Sequence, residues 1–506
     1  MAMVVQHNMQ AMNSNRVLGG TTLAQAKSTE KLSSGFRINR AADDAAGLTI
    51  SEKMRKQIKG LNRASKNAQD GISAVQTAEG ALTEVHSMLQ RMNELSTQAA
   101  NGTNSKSDRD AIQSEIGQLT TEIDRVAETT KFNETYLLKG DSESNKKIIN
   151  LPAHDAGLKG TLTDNGDGTA TFTMDELKAG EKVMIGGKEY TIGEEEADLK
   201  KDVVEALHDP KANPAVTDFQ KDDKAVINGV KCKYHDGTET CKGNDKVEAG
   251  WYKEDGFPHD LANTDKANFK DFKVDLKGTV EANGKKFKSM ENDGKGFDKN
   301  DKSTITKGKA YYLASLELAK ANEIGDDPSA DPDRPAGAGK RNDKKVDSFK
   351  EDGTDAKNVI DINVGQAKVP ATLSFNLHVG SDADMTNKIN VNVEAMTSAY
   401  LGVKGLNVSD DSGNLATYAI DSIGDAISKV SAQRSSLGAI QNRLEHTIAN
   451  LDNISENTTA AESRIRDTDM ASEMVEYSKN NILKQAGTSM LAQANQSSQG
   501  VLALLQ

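Results

Sequence analysis

Helix-breaking residues are missing from both ends of this chain of 506 residues. All eight prolines lie between Pro152 and Pro370, so nothing in the outer thirds interrupts long helices. Aromatic residues make up only 4% of the chain against 36% hydrophobic, which implies thin cores. The two cysteines, Cys232 and Cys241, and the one tryptophan, Trp251, all fall in the middle. No run approaches the ~20 apolar residues of a membrane span, so membrane insertion is not expected. The opening MAMVVQHNMQAMNSNR has no basic stretch followed by a long apolar one. It is not an ordinary secretory signal, and work outside the cell would need a route without a cleaved leader. A formal charge of -13 argues against nucleic acid, whose phosphates call for a basic face.

What the sequence does have is helical periodicity. Over residues 54–99, Met54, Ile58, Leu61, Ser65, Ala68, Ile72, Val75, Ala78, Leu82, Val85, Leu89, Met92, Leu95 and Ala99 recur at alternating steps of three and four, the seam of a coiled coil. A single amphipathic helix of about 70 Å follows, at about 1.5 Å per residue. Its stripe must be buried by other long helices. Upstream, Val4, Val5, Met9, Met12, Leu18, Leu23 and Leu32 outline a terminal helix ending near Gly35, a suitable C-cap. Beyond a turn at Asn101 and Gly102, Ser107 with Asp110 resembles a capping box, and Ile112, Ile116, Leu119, Ile123 and Val126 repeat the seam. A β-like tail runs through Phe132, Tyr136 and Leu138. The last third mirrors the first: Ile420, Ile423, Ile427, Val430, Leu437, Ile440, Leu444, Ile448, Leu451 and Ile454 form a third seam, and Leu483, Ala486, Met490 and Ala494 a fourth. The expected fold is mainly α, a long antiparallel coiled-coil rod formed by both chain ends, with an inserted α+β middle.

Chain ends are usually frayed and polar. Here both carry apolar stripes, with Val4, Val5, Met9 and Leu18 at one end and Leu483, Met490, Leu491, Val501, Leu502, Leu504 and Leu505 at the other. Pairing of the end helices within one chain covers part of this surface. Large exposed apolar faces mark interaction sites, so the remainder is expected to bury itself against copies of the same chain.

Three stretches carry a resemblance to a known family. LSSGFRINRAADDAAGLTIS (residues 32–51), QDGISAVQTAEGAL (69–82), and SRIRDTDMASEM with ILKQAGTSMLAQANQ (within 463–496) are similar to those of bacterial flagellins. The resemblance covers about residues 1–140 and 395–506. It implies a filament subunit for swimming motility, secreted through the flagellar type III channel to the cell exterior. It also implies a division into a core helix and spoke (1–43), a helical shell segment (44–140), a variable outer region (141–394), a second shell segment (395–458) and a second core helix (459–506). Arg37, Arg40, Asp43 and Asp44 read on their own as a surface charge cluster; the resemblance places their segment between core and shell, where it would tie the two together. The implied partners are many copies of the chain, an export chaperone on the C-terminal helix, a filament cap and hook-filament junction proteins. A host toll-like flagellin receptor is implied as well, reading Gln90, Arg91, Glu94 and Leu95 together with Glu115 on the next helix. The seam turns Leu89 and Met92 inward, so Arg91 and Glu94 face out. Read on periodicity alone, a cytosolic coiled-coil scaffold is the alternative, and the middle leaves open an enzymatic or adhesive domain carried on the filament.

The middle reads as short strands and turns, one or two α+β domains. Val183, Met184 and Ile185 with Tyr190, Thr191 and Ile192 flank Gly186-Gly187, a two-residue hairpin signal. Residues 197–207 and 309–321 read as short helices and DDPSADPDRPAGAG (326–339) as a loop. Leu373, Phe375 and Leu377, with Ile389, Val391 and Val393, alternate as strands do. His154, His208, His235, His259 and His378 stand too far apart for a two-histidine zinc motif. TDNGDGT (163–169) lacks the closing glutamate of a calcium loop and reads as a polar hairpin turn. Asp326, Asp327, Asp331 and Asp333 read as a solvated acidic loop. No catalytic, cofactor-binding or metal-ligating residue is expected. In VKCKYHDGTETC a two-residue turn at Asp236-Gly237 would set Cys232 opposite Cys241 at ~4.5 Å between α-carbons, within disulfide reach. An oxidising exterior favours that bond, two free thiols being the alternative.

Overall fold

The computed structural model describes residues 8–141, 146–208, 218–239, 246–255, 273–328, 330, 350, 353 and 355–504. The chain divides into two compact units, one made of residues 1–76, 374–391 and 437–506, the other of residues 77–373 and 392–436. The described helices are α1 (Met9–Ser34), α2 (Ala45–Ala100), α3 (Lys106–Thr129), α4 (Glu196–Leu207), α5 (Lys307–Ala321), α6 (Ser398–Leu401), α7 (Asn414–Arg466) and α8 (Met470–Leu504). Both long helices, α2 and α7, run through the division. The expected class therefore holds: long helices from both ends of the chain, with a β-rich middle.

In the first unit α1 stops at Gly35, whose φ of 76° is the left-handed conformation that glycine adopts without strain. Helix α2 starts nine residues before the apolar seam does, because Asp44 accepts a hydrogen bond from the Gly47 amide at 2.9 Å and so caps the first turn. From there α2 and α7 run antiparallel. Glu52 meets Arg466, Asn62 meets Ser455 at 2.9 Å and Ser65 meets Asp452 at 3.2 Å, while Leu61, Ala64 and Leu451, then Ala68, Leu444 and Ile389, are buried together. A Cβ on Gly71 would stand 2.2 Å from Leu377 Cδ1. That glycine lets the strand carrying Leu377 lie directly on the helix. Helices α1 and α8 are also antiparallel, since the Asn8 side chain donates to the Ala494 carbonyl at 3.0 Å and Lys31 pairs with Glu473 at 3.3 Å.

In the second unit the seam continues. Ala78, Leu82, Val85, Leu89, Met92, Leu95 and Ala99 of α2 are buried, as are Ile112, Ile116 and Ile123 of α3 and Ile423, Ala426 and Val430 of α7. The capping box of α3 is Ser105 with Asp108 rather than Ser107 with Asp110. Both pairs have the required spacing, and the turn closed by the Asn104 amide on the Asn101 carbonyl selects the first. Arg109 is buried and donates to the Ala99, Asp410 and Asp411 carbonyls at 2.9, 3.0 and 2.8 Å. One guanidinium thereby satisfies carbonyls at the end of α2 and on the segment entering α7.

The strands of this unit begin with a tight hairpin, β1 (Lys131–Phe132) and β2 (Thr135–Tyr136), turned by Asn133 and Glu134 with positive φ. Strand β3 (Lys146–Asn150) pairs antiparallel with β16 (Gln366–Pro370). Strands β4 (Gly160–Asp164) and β5 (Thr169–Met174) are joined by the expected polar turn, and β5 also pairs with β15 (Val359–Asn363). Strands β6 (Lys182–Ile185) and β7 (Lys188–Ile192) turn at Gly186 and Gly187, both left-handed, and β14 (Thr304–Ile305) lies parallel to β7. Phe172, Met174, Ile192, Ile360 and Ile362 from these strands share one core with Tyr311, Ala314 and Leu318 of α5.

A second core belongs to a six-stranded sheet of β8 (Lys224–Ile227), β9 (Val230–His235), β10 (Gly250–Lys253), β11 (Lys273–Val274), β12 (Thr279–Ala282) and β13 (Lys285–Lys288), ordered β11-β10-β9-β8-β12-β13. Leu199 and Val203 of α4 pack on it beside Trp251, Val280 and Phe287. Strands β17 (Leu373–His378) and β18 (Lys388–Val393), which belong mostly to the first unit, pair with each other and carry the alternating residues expected there.

The expected register of Cys232 is corrected. Strand β9 has neighbours on both sides, so Cys232 faces Ala225 of β8 and Lys253 of β10, and its side chain is buried in the second core. The local turn loses to a longer-range pairing in which Tyr234 meets Trp251 with ring centroids 5.5 Å apart, since aromatic cross-strand pairs stabilise a sheet more than the Thr-Glu-Thr run would. Cys241 lies outside the described residues, as do Val4, Val5, His259, Asp331, Asp333 and Leu505, the Ser329 and 331–339 parts of the expected loop, and the side chains of Val501, Leu502 and Leu504.

Candidate functional site

Helices α1 and α8 bury little of their own surface. Among the described residues α1 fully buries Ser28 alone, and α8 buries Asn480 and Ala494. Of the residues expected at a joining surface, Met9, Leu483 and Met490 are exposed, whereas Leu18 and Leu491 are half-buried. Leu18 sits beside Gly487, which has no side chain to hold it off. Met12, Val17 and Leu23 on α1 and Met470, Met474, Val475 and Ile482 on α8 add to the exposed apolar face. Val475 and Ile482 lie off the seam, so periodicity does not mark them; their signal in the sequence is apolar character among polar neighbours.

The polar face of α2 and α3 presents a charge cluster. Arg91 donates through Nε to Glu115 at 3.0 Å and through Nη1 to Glu94 at 3.2 Å. These carboxylates push the guanidinium pKa further up, Glu115 most. Gln90 is exposed beside His86. Leu95 departs from expectation: it is 2% exposed and belongs to the seam between Met92 and Ala99, so it cannot touch a partner.

Between α1 and α2 the charged segment is fully engaged. The Arg37 amide donates to the Arg466 carbonyl at 2.6 Å and its side chain to the Arg464 carbonyl at 3.1 Å, while the Arg466 guanidinium lies over the Phe36 ring. Arg40 pairs with Glu30 at 2.9 Å and Asp43 with Lys27 at 3.0 Å. The Arg40 amide, and then Lys27, hold the Asp43 carboxyl below the usual range. With Asp44 capping α2, these four residues join the end of α1, the start of α2 and the end of α7.

His154, on the segment between β3 and β4, is a largely buried titratable group facing α7. Asn322 holds its backbone from both sides at 2.8 Å, and its Nε2 lies 3.3 Å from Ser422 Oγ and 3.9 Å from Asp425. Among the described residues no group of three His, Cys, Asp or Glu side chains is placed to hold a metal ion, and no helix is long and apolar enough to cross a membrane.

The bacterial flagellin N-terminal helical region matches residues 5–143, and the bacterial flagellin C-terminal helical region matches residues 420–505. The chain is 36% identical to a flagellin of Clostridium tyrobutyricum over 505 residues, covering 98% of this chain and 100% of that protein. It is 34% identical to flagellin C of Vibrio cholerae over 505 residues and 32% identical to flagellin B of Vibrio anguillarum over 507 residues, in both cases across 100% of each chain. Similarity at this level over full length, middle included, means that the chain belongs to the bacterial flagellins and is a structural subunit of the extracellular flagellar filament, secreted by the flagellar type III route and serving motility.

Proposed function

We propose that α1 and α8 carry the surface through which subunits join in the filament core, with Met9, Leu18, Leu483, Met490 and Leu491 on it and Val4, Val5, Val501, Leu502, Leu504 and Leu505 extending it towards the termini. The observation that carries this reading is a pair of helices, 26 and 35 residues long, whose apolar side chains mostly face solvent. Such a pair is half of an interface. Each apolar side chain fully buried by a neighbouring copy contributes ~1.5–3 kcal/mol, so a few of them suffice to hold a subunit in place. The same exposed face of α8 needs cover before export, the role of an export chaperone. A filament cap and hook-filament junction proteins would meet equivalent faces at the two ends of the polymer. In this reading residues 1–43 and 459–506 form the core, 44–140 and 395–458 the shell, and 141–394 the outer region. Purified monomer added to short filament seeds tests it. Electron microscopy is expected to show long tubes of uniform width, and protein that stays monomeric in the presence of seeds overturns the assignment.

A second reading concerns the charge cluster on α2 and α3: recognition of the monomer by a host toll-like flagellin receptor through Gln90, Arg91, Glu94 and Glu115. It is supported by the half-exposed Arg91, whose contacts to Glu94 and Glu115 hold the guanidinium fork in place while leaving N–H groups available to a partner.

A further inference from the structure

We propose that the exposed methionines of the joining surface make filament growth sensitive to oxidation, a regulation that rests on the assembly reading above. Five methionines on α1 and α8, Met9, Met12, Met470, Met474 and Met490, are between 49% and 69% exposed. They gather at both ends of the helix pair. The bond from Asn8 to Ala494 brings Met9 and Met12 to the end of the pair that carries Met490, and the Lys31–Glu473 pair marks the end that carries Met470 and Met474. By contrast Met92, Met174 and Met396 are buried in the second unit. A thioether is apolar and adaptable, suited to fill a joint between copies. It is also the side chain on this surface that a peroxide attacks. The sulfur lone pair takes one oxygen atom from hydrogen peroxide, the O–O bond breaks, an S–O bond forms and water leaves. Sulfur is oxidised by two electrons and the peroxide reduced. The sulfoxide is strongly polar and accepts hydrogen bonds that an apolar joint does not supply, so burying it is penalised. A subunit oxidised before it joins is then a poor one, while a subunit already in the polymer has these sulfurs covered.

The test treats full-length monomer with hydrogen peroxide and measures its elongation on untreated seeds. Peptide mass spectrometry should find sulfoxide at the five positions and at the exposed Met184 and Met385, with Met92, Met174 and Met396 unchanged. Elongation should fall by at least about tenfold, a size expected for several buried polar groups left unpaired, and the two methionine sulfoxide reductases, one for each epimer, should restore it. A variant with Met9, Met12, Met470, Met474 and Met490 all changed to Leu should elongate and ignore peroxide; the pair Met184→Leu, Met385→Leu should remain sensitive. If the fivefold variant does not assemble, repair of the oxidised natural chain decides the matter, repair supporting the proposal and failure of repair overturning it. Treated protein that carries the five sulfoxides and elongates at the untreated rate also overturns it, as does peroxide resistance in the Met184, Met385 variant. Untreated protein that fails to elongate counts against the assembly reading itself, so the two failures are distinguishable.

Discussion

Arg91 and Leu95 sit one helical turn apart on α2 and take opposite parts. The resemblance that names Arg91 as a contact also names Leu95, but the heptad spacing already placed Leu95 in the seam, and the structure follows the spacing. For a monomer binding the receptor ectodomain, Arg91→Ala is expected to cost more than ~2 kcal/mol of affinity if the guanidinium is a central anchor, and to leave thermal unfolding of the monomer nearly unchanged. Leu95→Ala should do the reverse. Truncating a buried leucine destabilises by about 2–5 kcal/mol, and any loss of binding should disappear under conditions where the variant is fully folded. Unchanged affinity in Arg91→Ala removes this stretch from the receptor site. Cys232 gives the matching lesson for the middle: its type and its short distance from Cys241 were legible, but its neighbours were not, because they come from residues 225 and 253 rather than from the adjoining turn.

Among the elements, the segment between β3 and β4 is held against α7 by a histidine whose charge matters. Burial pushes the His154 imidazole pKa down, against the pull of Asp425, Asp421 and Asp155 and with some help from Lys429. A folded value below the unfolded one of about 6.5 means that the folded state binds fewer protons, so this contribution to stability is fully present above about pH 6.5 and is lost as pH falls towards the folded value. Asp421, pushed up by burial, has the opposite sign. It takes up its proton in the folded state first, which restores some stability at lower pH. Lys429 is likewise pushed down by burial, against the pull of Asp425. Urea midpoints measured at pH 7 and pH 5.5 should therefore fall in the natural chain and fall less in His154→Gln. Equal slopes would remove His154 from the pH response. The elements themselves were largely readable. The long helices follow from apolar residues every three or four positions, and the Gly186-Gly187 hairpin follows from two adjacent glycines, both with positive φ. The start of α3 is not fixed by sequence to better than two residues, because Ser105-x-x-Asp108 and Ser107-x-x-Asp110 are equivalent until the preceding turn is known. The six-stranded sheet was not readable, since β8 lies between β9 and β12 and short polar strands carry no signal for so distant a partner.

For the whole molecule, folding and joining draw on different parts of the chain. The second unit has its own buried cores, built on Phe172 and Ile360 in one and on Trp251 and Val280 in the other, and its part of the α2 seam, from Ala78 to Ala99, is buried, as are Ile116 of α3 and Ile423 of α7. None of this needs the last turn of α8, whose backbone remains helical to Leu504. Yet Val501, Leu502 and Leu504, with Leu505 next in sequence, are apolar residues that close a chain whose last helix buries only Asn480 and Ala494 among its described residues. If neighbouring copies bury them at ~1.5–3 kcal/mol each, deleting residues 501–506 removes several kcal/mol from every joint in the polymer and almost nothing from the monomer. The truncated chain should keep nearly the helical circular dichroism and unfolding midpoint of the full chain, and should form no filaments on seeds that the full chain extends. Lost helicity together with lost assembly would mean that the last turn serves folding instead. Filaments of normal length from the truncated chain would place the joint elsewhere on α1 and α8, at Met9, Leu483 and Met490 rather than at the terminus.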